Sequence, residues 1–150
     1  MANIFQKETT TTYIKRLDAL RPTTQPLWGK MNAAQMLAHL NVAYEMAYEN
    51  IHKAPNAFVK FFLKLFVKDT VVGGKPYKKN SQTAPAFLIK DERDFEKEKS
   101  RLIAYIRKTQ ELGADYFDNK ESLSFGKLSK EEWNVMFDKH MEHHFSQFGI

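Results

Sequence analysis

The sequence predicts an all-α fold: a four-helix bundle with a long crossover connection that includes an extra short helix. Capping residues and apolar residues spaced three and four apart recur along the chain of 150 residues, and no stretch alternates convincingly as a strand does. Prolines and glycines divide the chain into four long helical segments with an irregular stretch between the second and the third. A chain of this length is most simply one domain, residues 1–150.

Prolines bound the first two predicted helices. The first is predicted over residues 6–20, because the prolines of the following segment RPTTQP prevent it from continuing. The second is predicted over residues 32–53, ending before a further proline. Asn32 is a good N-cap for this helix, and Gln35, three residues later, completes a capping-box pattern.

The segment NAFVKFFLKLFVKD, residues 56–69, predicts an amphipathic helix within the crossover. Lys60, Lys64 and Lys68 recur every four residues and form one stripe, while phenylalanines cover the remaining surface. Two interpretations are open. We favour a helix that covers the domain core with its lysines in water, and the alternative is a helix that lies on a membrane surface. The following residues 70–87, rich in glycine and proline, predict a long irregular connection.

Two further helices complete the predicted bundle. The first is predicted over residues 92–112, capped by the aspartate that precedes it and ended by Gly113. The last is predicted to run to about residue 147. It begins at a capping box formed by Ser129 and Glu132.

Composition excludes several kinds of site. The chain has no cysteine, which excludes disulfides, thiolate metal sites and a cysteine nucleophile. Any metal must therefore be held by histidine, aspartate or glutamate, and any thiol chemistry needs a thiol from outside the chain. The first residues lack the pattern of a secretory signal, and no stretch approaches the ~20 apolar residues of a membrane span. We expect a cytoplasmic location and no membrane span.

The basic charge does not form a nucleic-acid signature. The formal net charge is +5, but the lysines and arginines are spread along the chain and accompany no recognisable nucleic-acid motif. The densest basic stretch, GGKPYKKN, is interpreted as a solvated loop. We expect no nucleic-acid partner, although a basic accessory protein that binds nucleic acid or membrane remains an alternative.

Three of the five histidines fall within the segment KHMEHH near the end of the last predicted helix. On an α-helix, residues four apart differ by about 40° in direction, so His140 and His144 can bind one ion from consecutive turns. The apolar stripe of this helix passes through both of them. His143 lies on the flank of the stripe, one turn beyond Lys139, and is expected at the rim of any site.

A metal site needs a third ligand, because catalytic zinc usually has three protein ligands and one open position. His39 is the best candidate, since its helical neighbours form an almost entirely apolar face. His52 lies at a helix end, where we expect it to interact with the terminal carbonyls. Spacing alone leaves two interpretations open: hydrogen-bonded core histidines, or a metal site that weakens as pH falls and the imidazoles become protonated.

Two segments, MNAAQMLAHL in the second helix and FGKLSKEEWNVMFDKHMEHHFSQFG at the chain end, resemble the DinB-like (DinB/YfiT) superfamily of metalloenzymes. The resemblance is greatest to a branch known as a domain of unknown function, whose members end in a similar GKLxxEEW…HxxHHxxQFG signature. It covers nearly the whole chain in layout and 35 residues in these two motifs. The sequence departs from the pattern at Ser122 and Leu123, where a His-Pro pair is expected.

The resemblance implies a four-helix bundle with a divalent metal, zinc or nickel, held by His39, His140 and His144. It also implies an activity, since characterised relatives include S-transferases and isomerases that use glutathione, bacillithiol or mycothiol. The protein would then be a metal-dependent thiol S-transferase or a related hydrolase or isomerase, with a low-molecular-weight thiol and a small-molecule substrate as partners. A non-catalytic bundle that binds metal or ligand is the alternative. Bundles of this kind often pair through helix faces, so a homodimer is expected.

Other side chains are candidates for supporting such a site. Gln35, one turn from His39, and Gln147 could orient a ligand imidazole or a bound water. Glu142 is a weaker candidate, because its direction on the helix points away from the histidine pair. A pocket could be lined by three aromatic residues, although aromatic residues in a bundle usually pack: Trp28, Tyr44 and Tyr48.

Overall fold

The fold is mostly helical, as the sequence predicts. A computed structural model describes residues 1–81 and 83–150. Within these residues the elements are α1 (Lys7–Ala19), α2 (Ala33–Tyr48), α3 (Ala57–Phe66), α4 (Lys68–Val72), a short 3-10 helix (Pro85–Phe87), α5 (Phe95–Phe117), β1 (Lys120–Ser122), β2 (Gly126–Leu128) and α6 (Lys130–Phe148).

Helix α2 lies at the centre of the fold and begins at the predicted cap. The Asn32 side chain accepts from the Gln35 N–H, and the Gln35 side chain accepts from the Asn32 N–H. Of its 16 residues, 11 are buried, because α2 packs against α5 on one side and α6 on another. The helix ends at Tyr48, five residues before the predicted end at residue 53. Among residues 49–53 the apolar residue is Ile51, which is exposed, so this stretch buries no apolar side chain that would support a further helical turn.

The amphipathic segment forms α3 and α4, and its favoured orientation is wrong. Lys60 pairs with Glu121 of β1 at 2.8 Å, and Lys68 pairs with Glu132 of α6 at 2.7 Å. The lysine stripe therefore turns toward carboxylates of the same chain, and the phenylalanines of α3 face water. Leu63 is the α3 residue that packs against the core, and it remains partly exposed.

Helix α5 begins three residues after its predicted start and extends five residues beyond its predicted end. Asp94 caps it by accepting from the Lys97 N–H, in place of the expected cap three residues earlier. Gly113 has φ 72° and ψ 173°, so it breaks the helical backbone at the predicted end. The chain becomes helical again and continues to Phe117, which is fully buried against Trp133 and other rings of the core.

A small antiparallel hairpin between α5 and α6 was not expected from the sequence. Strand β1 pairs with β2 so that Glu121 lies opposite Lys127. Each strand has only three residues, which is too short for alternation of polar and apolar residues to indicate a strand. The hairpin leads into α6, which begins at the predicted capping box of Ser129 and Glu132.

The core lies among α1, α2, α5 and α6. Helix α1 packs against α5, and α5 packs against both α2 and α6. Tyr44 of α2 stacks between Tyr105 of α5 and Phe137 of α6, with ring centroids 5.6 and 4.4 Å apart. Lys139 of α6 is buried, and its Nζ donates to three backbone carbonyls between residues 70 and 75. This amino group fixes the end of α4 and the loop after it onto α6.

Among the helices described over residues 1–81 and 83–150, none has the length and apolar character required to cross a membrane.

Candidate metal centre

Helices α2 and α6 bring His39, His140 and His144 together. Each ring offers a nitrogen, and these three nitrogens all lie within 4.8 Å of one another. Nε2 of His39 lies 2.9 Å from Nε2 of His140. Ring centroids lie 4.5 to 5.0 Å apart, and each pair of rings meets edge to face. Two ligand nitrogens on a tetrahedral zinc lie about 3.3 Å apart, so the cluster has the dimensions of a three-histidine metal site.

The position of His39 and its tautomer are set by the crossover. Its Nδ1 lies 2.9 Å from the backbone carbonyl of Phe87 in the short 3-10 helix. A carbonyl oxygen can only accept, so Nδ1 carries the proton and Nε2 has a free lone pair. The Phe87 ring also packs edge-on against His39 at 5.3 Å. The lone pair therefore points at the other two histidines, as a metal ligand requires.

His144 is held in the same way by a glutamine. Its Nδ1 lies 2.7 Å from Oε1 of Gln147, and Nε2 of Gln147 donates to the Trp28 carbonyl at 2.7 Å. The carbonyl fixes which end of the amide faces His144, because only the amide nitrogen can donate to it. Nδ1 of His144 is then a donor, and its Nε2 is free to bind an ion.

Glycine is required beside this amide. Gly29 has φ +86°, and a Cβ added there would lie 2.5 Å from Nε2 of Gln147. A side chain at position 29 would therefore push Gln147 away from the Trp28 carbonyl. The loop before α2 and the last turns of α6 are fitted to each other through this contact.

Burial keeps the clustered histidines neutral. It lowers the pKa of His144 to about 3, with a further lowering from the charge of His39. The pKa of His140 lies well below 6.5, mainly because of burial and further because of the charges of the neighbouring histidines. The pKa of His39 is lowered by burial despite the opposing hydrogen bond to Phe87. Neutral imidazole is the form that binds a metal ion, so the cluster is ready to act as a ligand set near pH 7.

A cavity of about 340 Å³ lies beside the cluster. Trp28, Tyr77, Lys79 and His143 are among its lining residues, and Lys79 places its ammonium 4.2 Å from the centroid of the Trp28 ring. Tyr77 meets both His140 and His143 edge-on, at 6.5 and 5.6 Å. His39, His140 and His144 do not line the cavity themselves; Tyr77, which neighbours His140, and His143, whose ring lies 4.9 Å from that of His144, line it next to the cluster.

The remaining candidates lie elsewhere. Gln35 is occupied by the cap of α2 and donates to the Asp91 carbonyl, so its side chain does not support His39. Glu142 pairs with Arg16 and lines the cavity rather than the histidine cluster. His52 does not interact with terminal carbonyls as expected, because its Nε2 lies 2.7 Å from a carboxylate oxygen of Glu45.

Of the three aromatic candidates for the pocket, Trp28 lines the cavity and the two tyrosines pack. Tyr44 is buried in the aromatic stack between α2, α5 and α6. Tyr48 bonds through its hydroxyl to Thr109 at 2.7 Å.

The backbone contributes two functional groups that sequence reasoning missed. The carbonyls of Phe87 and Trp28 orient His39 and, through Gln147, His144. Every residue has a carbonyl, so no sequence signal could have identified these two. The nearest indication in the sequence that these segments belong to the site is the presence of aromatic and basic residues around Trp28 and Tyr77, where the chain is otherwise irregular.

Comparison with known proteins places this chain in a family. No curated protein and no solved structure matches the chain. Residues 5–149 match a family described as "Protein of unknown function (DUF1569)". The match covers nearly the whole chain and confirms the expectation of a family of unknown function. The chain belongs to the DUF1569 family.

Proposed function

We propose that the protein binds one divalent metal ion through His39, His140 and His144. The observation that carries the proposal is the convergence of three neutral ring nitrogens within 4.8 Å. The opposite nitrogens of two of these rings are already held, by the Phe87 carbonyl and by Gln147. Such hydrogen bonds to the outer nitrogen orient a histidine ligand and increase its basicity.

The proposed ion is zinc or nickel, in a four-helix bundle of the DinB-like kind. Imidazole suits both ions, and three histidines leave a coordination position open. The bundle would consist of α1, α2, α5 and α6, with α3, α4 and the 3-10 helix in the crossover. The proposal treats residues 1–150 as one domain, which the shared core among these four helices supports.

We further propose that the activity is a metal-dependent thiol S-transfer, or a related hydrolysis or isomerisation. A bound zinc or nickel ion would supply Lewis acidity that lowers the pKa of an external thiol. The chain has no cysteine, so the thiol must be a separate small molecule. The adjacent cavity, of about 340 Å³, is at the lower end of the range for small-molecule sites.

The protein's own residues provide binding and orientation in this proposal. Trp28 and Tyr77 offer aromatic surface to a substrate in the cavity, and Lys79 offers a positive charge to an anionic group. The Phe87 carbonyl and Gln147 hold two imidazoles in the tautomer that presents Nε2. His140 is the partly exposed member of the three histidines.

Metal binding is tested by elemental analysis of the purified protein together with titration of zinc and nickel by calorimetry. We expect about one ion per chain, and loss of high-affinity binding in His140→Ala and His39→Ala. His52→Ala is the matched control, because His52 pairs with Glu45 outside the cluster and should leave binding unchanged. A wild-type protein that neither carries nor binds a divalent ion would refute the proposal.

Catalysis is tested separately on the metal-loaded protein. Glutathione, bacillithiol and mycothiol are each combined with a chromogenic electrophile, and conjugate formation is followed with wild type and His140→Ala. Conjugation that requires both the metal and His140 supports thiol transfer. A protein that binds the ion, gains thermal stability from it and conjugates none of the three thiols is instead a non-catalytic metal-binding protein.

A further inference from the structure

Helix α3 carries an apolar face that points into water. We call it the phenylalanine face and define it by the residues that share this exposure: Phe58, Phe61, Phe62, Leu65 and Phe66. Their exposed fractions run from 42% for Phe62 to 71% for Phe58. At about 200 Å² for a whole phenylalanine, the four rings alone leave about 500 Å² of apolar surface in water. A typical monomer reaches this size only in its largest patch, which is often functional.

The exposed residues lie on one side of the helix. At 100° per residue, Phe58, Phe61, Phe62 and Leu65 fall within an arc of about 100° centred away from the protein. Phe66 extends the arc. The opposite side carries Lys60 and Leu63, which turn toward the chain's own hairpin and core. Rings Phe58, Phe62 and Phe66 succeed one another along the helix with centroids 4.8 and 5.8 Å apart.

The face also has a shallow apolar depression of about 260 Å³, lined by α3 side chains and Val67. Of the lining residues, only Leu63 packs against the core, and the others remain accessible to solvent. A hydrocarbon segment could occupy this depression without moving the core. Nothing in the ten residues of α3 is acidic.

Positive charge flanks the phenylalanine face. The pKa of the Glu121 carboxyl is lowered by three nearby lysines. The largest cause is the hydrogen bond from Lys60, and the charges of Lys60, Lys127 and Lys64 add to it. Three lysines share this one carboxylate, so this flank of α3 and the hairpin has an excess of two positive charges. An exposed aromatic face beside a cationic flank is the pattern of helices that lie in a membrane interface.

We propose that α3 docks the protein on an anionic membrane surface. The phenylalanine face enters the boundary between headgroups and acyl chains, and Lys64 and Lys127 lie at the level of the anionic headgroups. A second copy of the chain is a less suitable occupant, because a symmetric contact through this face would bring two cationic flanks together. The proposed attachment is peripheral: within residues 1–81 and 83–150, no helix is long and apolar enough to cross a bilayer.

The test is sedimentation of the full chain with vesicles of phosphatidylcholine alone, or of phosphatidylcholine with 30% phosphatidylserine. We expect binding to the anionic vesicles that weakens at high salt, with little binding to neutral ones. Phe58→Ser with Phe62→Ser should reduce the partition coefficient at least about tenfold. Lys64→Gln and Lys127→Gln should each reduce it about fivefold.

Leu27→Ser is the matched control, because Leu27 is as exposed as Phe58 but lies outside α3. It should bind vesicles like the wild type. A second variant, Phe62→Trp, gives a gain of signal, since the fluorescence of a tryptophan entering the interface shifts to the blue when anionic vesicles are added. Circular dichroism checks that each variant keeps its helices.

Three results would overturn the proposal. The first is a wild type that does not bind phosphatidylserine vesicles, and the second is binding that the two serine substitutions leave unchanged. The third is a dimer in sedimentation equilibrium that Phe58→Ser with Phe62→Ser dissociates, because the face would then be covered by a second copy.

Discussion

Gln147→Leu should weaken metal binding as well as stability. Leucine has nearly the volume of glutamine, but it removes the amide that joins His144 to the Trp28 carbonyl, with both hydrogen bonds at 2.7 Å. Gln147 is only 4% exposed, so water cannot easily replace the amide. The substitution leaves a ring N–H and a backbone carbonyl without partners.

The expected losses follow from these two groups. An unsatisfied buried donor or acceptor costs about 1–3 kcal/mol, so with two such groups the free energy of unfolding of the metal-free protein should fall by about 2–6 kcal/mol. The His144 ring also loses the contact that fixes its tautomer. Loss of such a contact typically costs about 10- to 100-fold in metal affinity.

Urea unfolding in the presence of a chelator measures the first loss, and zinc titration against a competing chelator measures the second. Gln35→Leu is the matched control, because Gln35 also makes two hydrogen bonds but makes them to Asn32 and Asp91 at the start of α2. It should lower stability by about 1 kcal/mol and leave zinc affinity within about twofold. Zinc affinity that Gln147→Leu leaves unchanged, or that Gln35→Leu lowers equally, would refute the assigned role of Gln147.

Three further outcomes are expected. Gly29→Ala should destabilise the protein by about 1–2 kcal/mol, because alanine is strained at φ +86° and its Cβ would displace the Gln147 amide. Displacement of the amide should also weaken zinc binding. Thermal unfolding and zinc titration of the same sample measure the two effects, and an unchanged zinc affinity would contradict the reasoning. In metal-free protein, stability should fall as pH drops below about 6.5, since the unfolded His144 gains a proton there whereas the folded one does so only at about 3. Urea unfolding at several pH values should therefore show that the free energy of unfolding depends less steeply on pH in His144→Leu than in the wild type, by up to about 1.4 kcal/mol per pH unit. Parallel pH dependences in the two proteins would contradict this expectation. Lys139→Met should lower the free energy of unfolding by about 2–4 kcal/mol, because three backbone carbonyls lose their shared donor. Amide hydrogen exchange should become faster in residues 70–75. Faster exchange only in other segments would argue against the role of Lys139 in holding this loop on α6.

The sequence predicted the groups whose role depends on position along one helix. The caps at Asn32 and Ser129 depend on residues three positions away, and the pairing of His140 with His144 depends on one helical turn. The choice of His39 over His52 followed from the apolar neighbours of His39. Such local spacing is fixed by helix geometry before any tertiary contact forms.

The features that were missed depend on distant parts of the chain. The orientation of α3 is decided by Glu121 and Glu132, more than 60 residues away, and the helix periodicity alone gives no preference between its two faces. The carbonyl that fixes His39 is 48 residues away, in a segment without regular periodicity. Gln35 was the wrong glutamine because its side chain was already used by the cap that identified the helix.

The distance in sequence between His39 and His140 would give a metal-bound cluster a role in folding. The two residues are 101 positions apart, and their rings meet at 2.9 Å. An ion shared between them would close a loop that contains α3, α4, α5 and the hairpin, as a disulfide would in a chain that had cysteine. A covalent link closing a loop of this length stabilises the folded state by about 4.7 kcal/mol in the chain-entropy picture. A reversible link of this kind would hold the two ends of the fold together only while the ion is present, so metal supply would set how readily the protein unfolds.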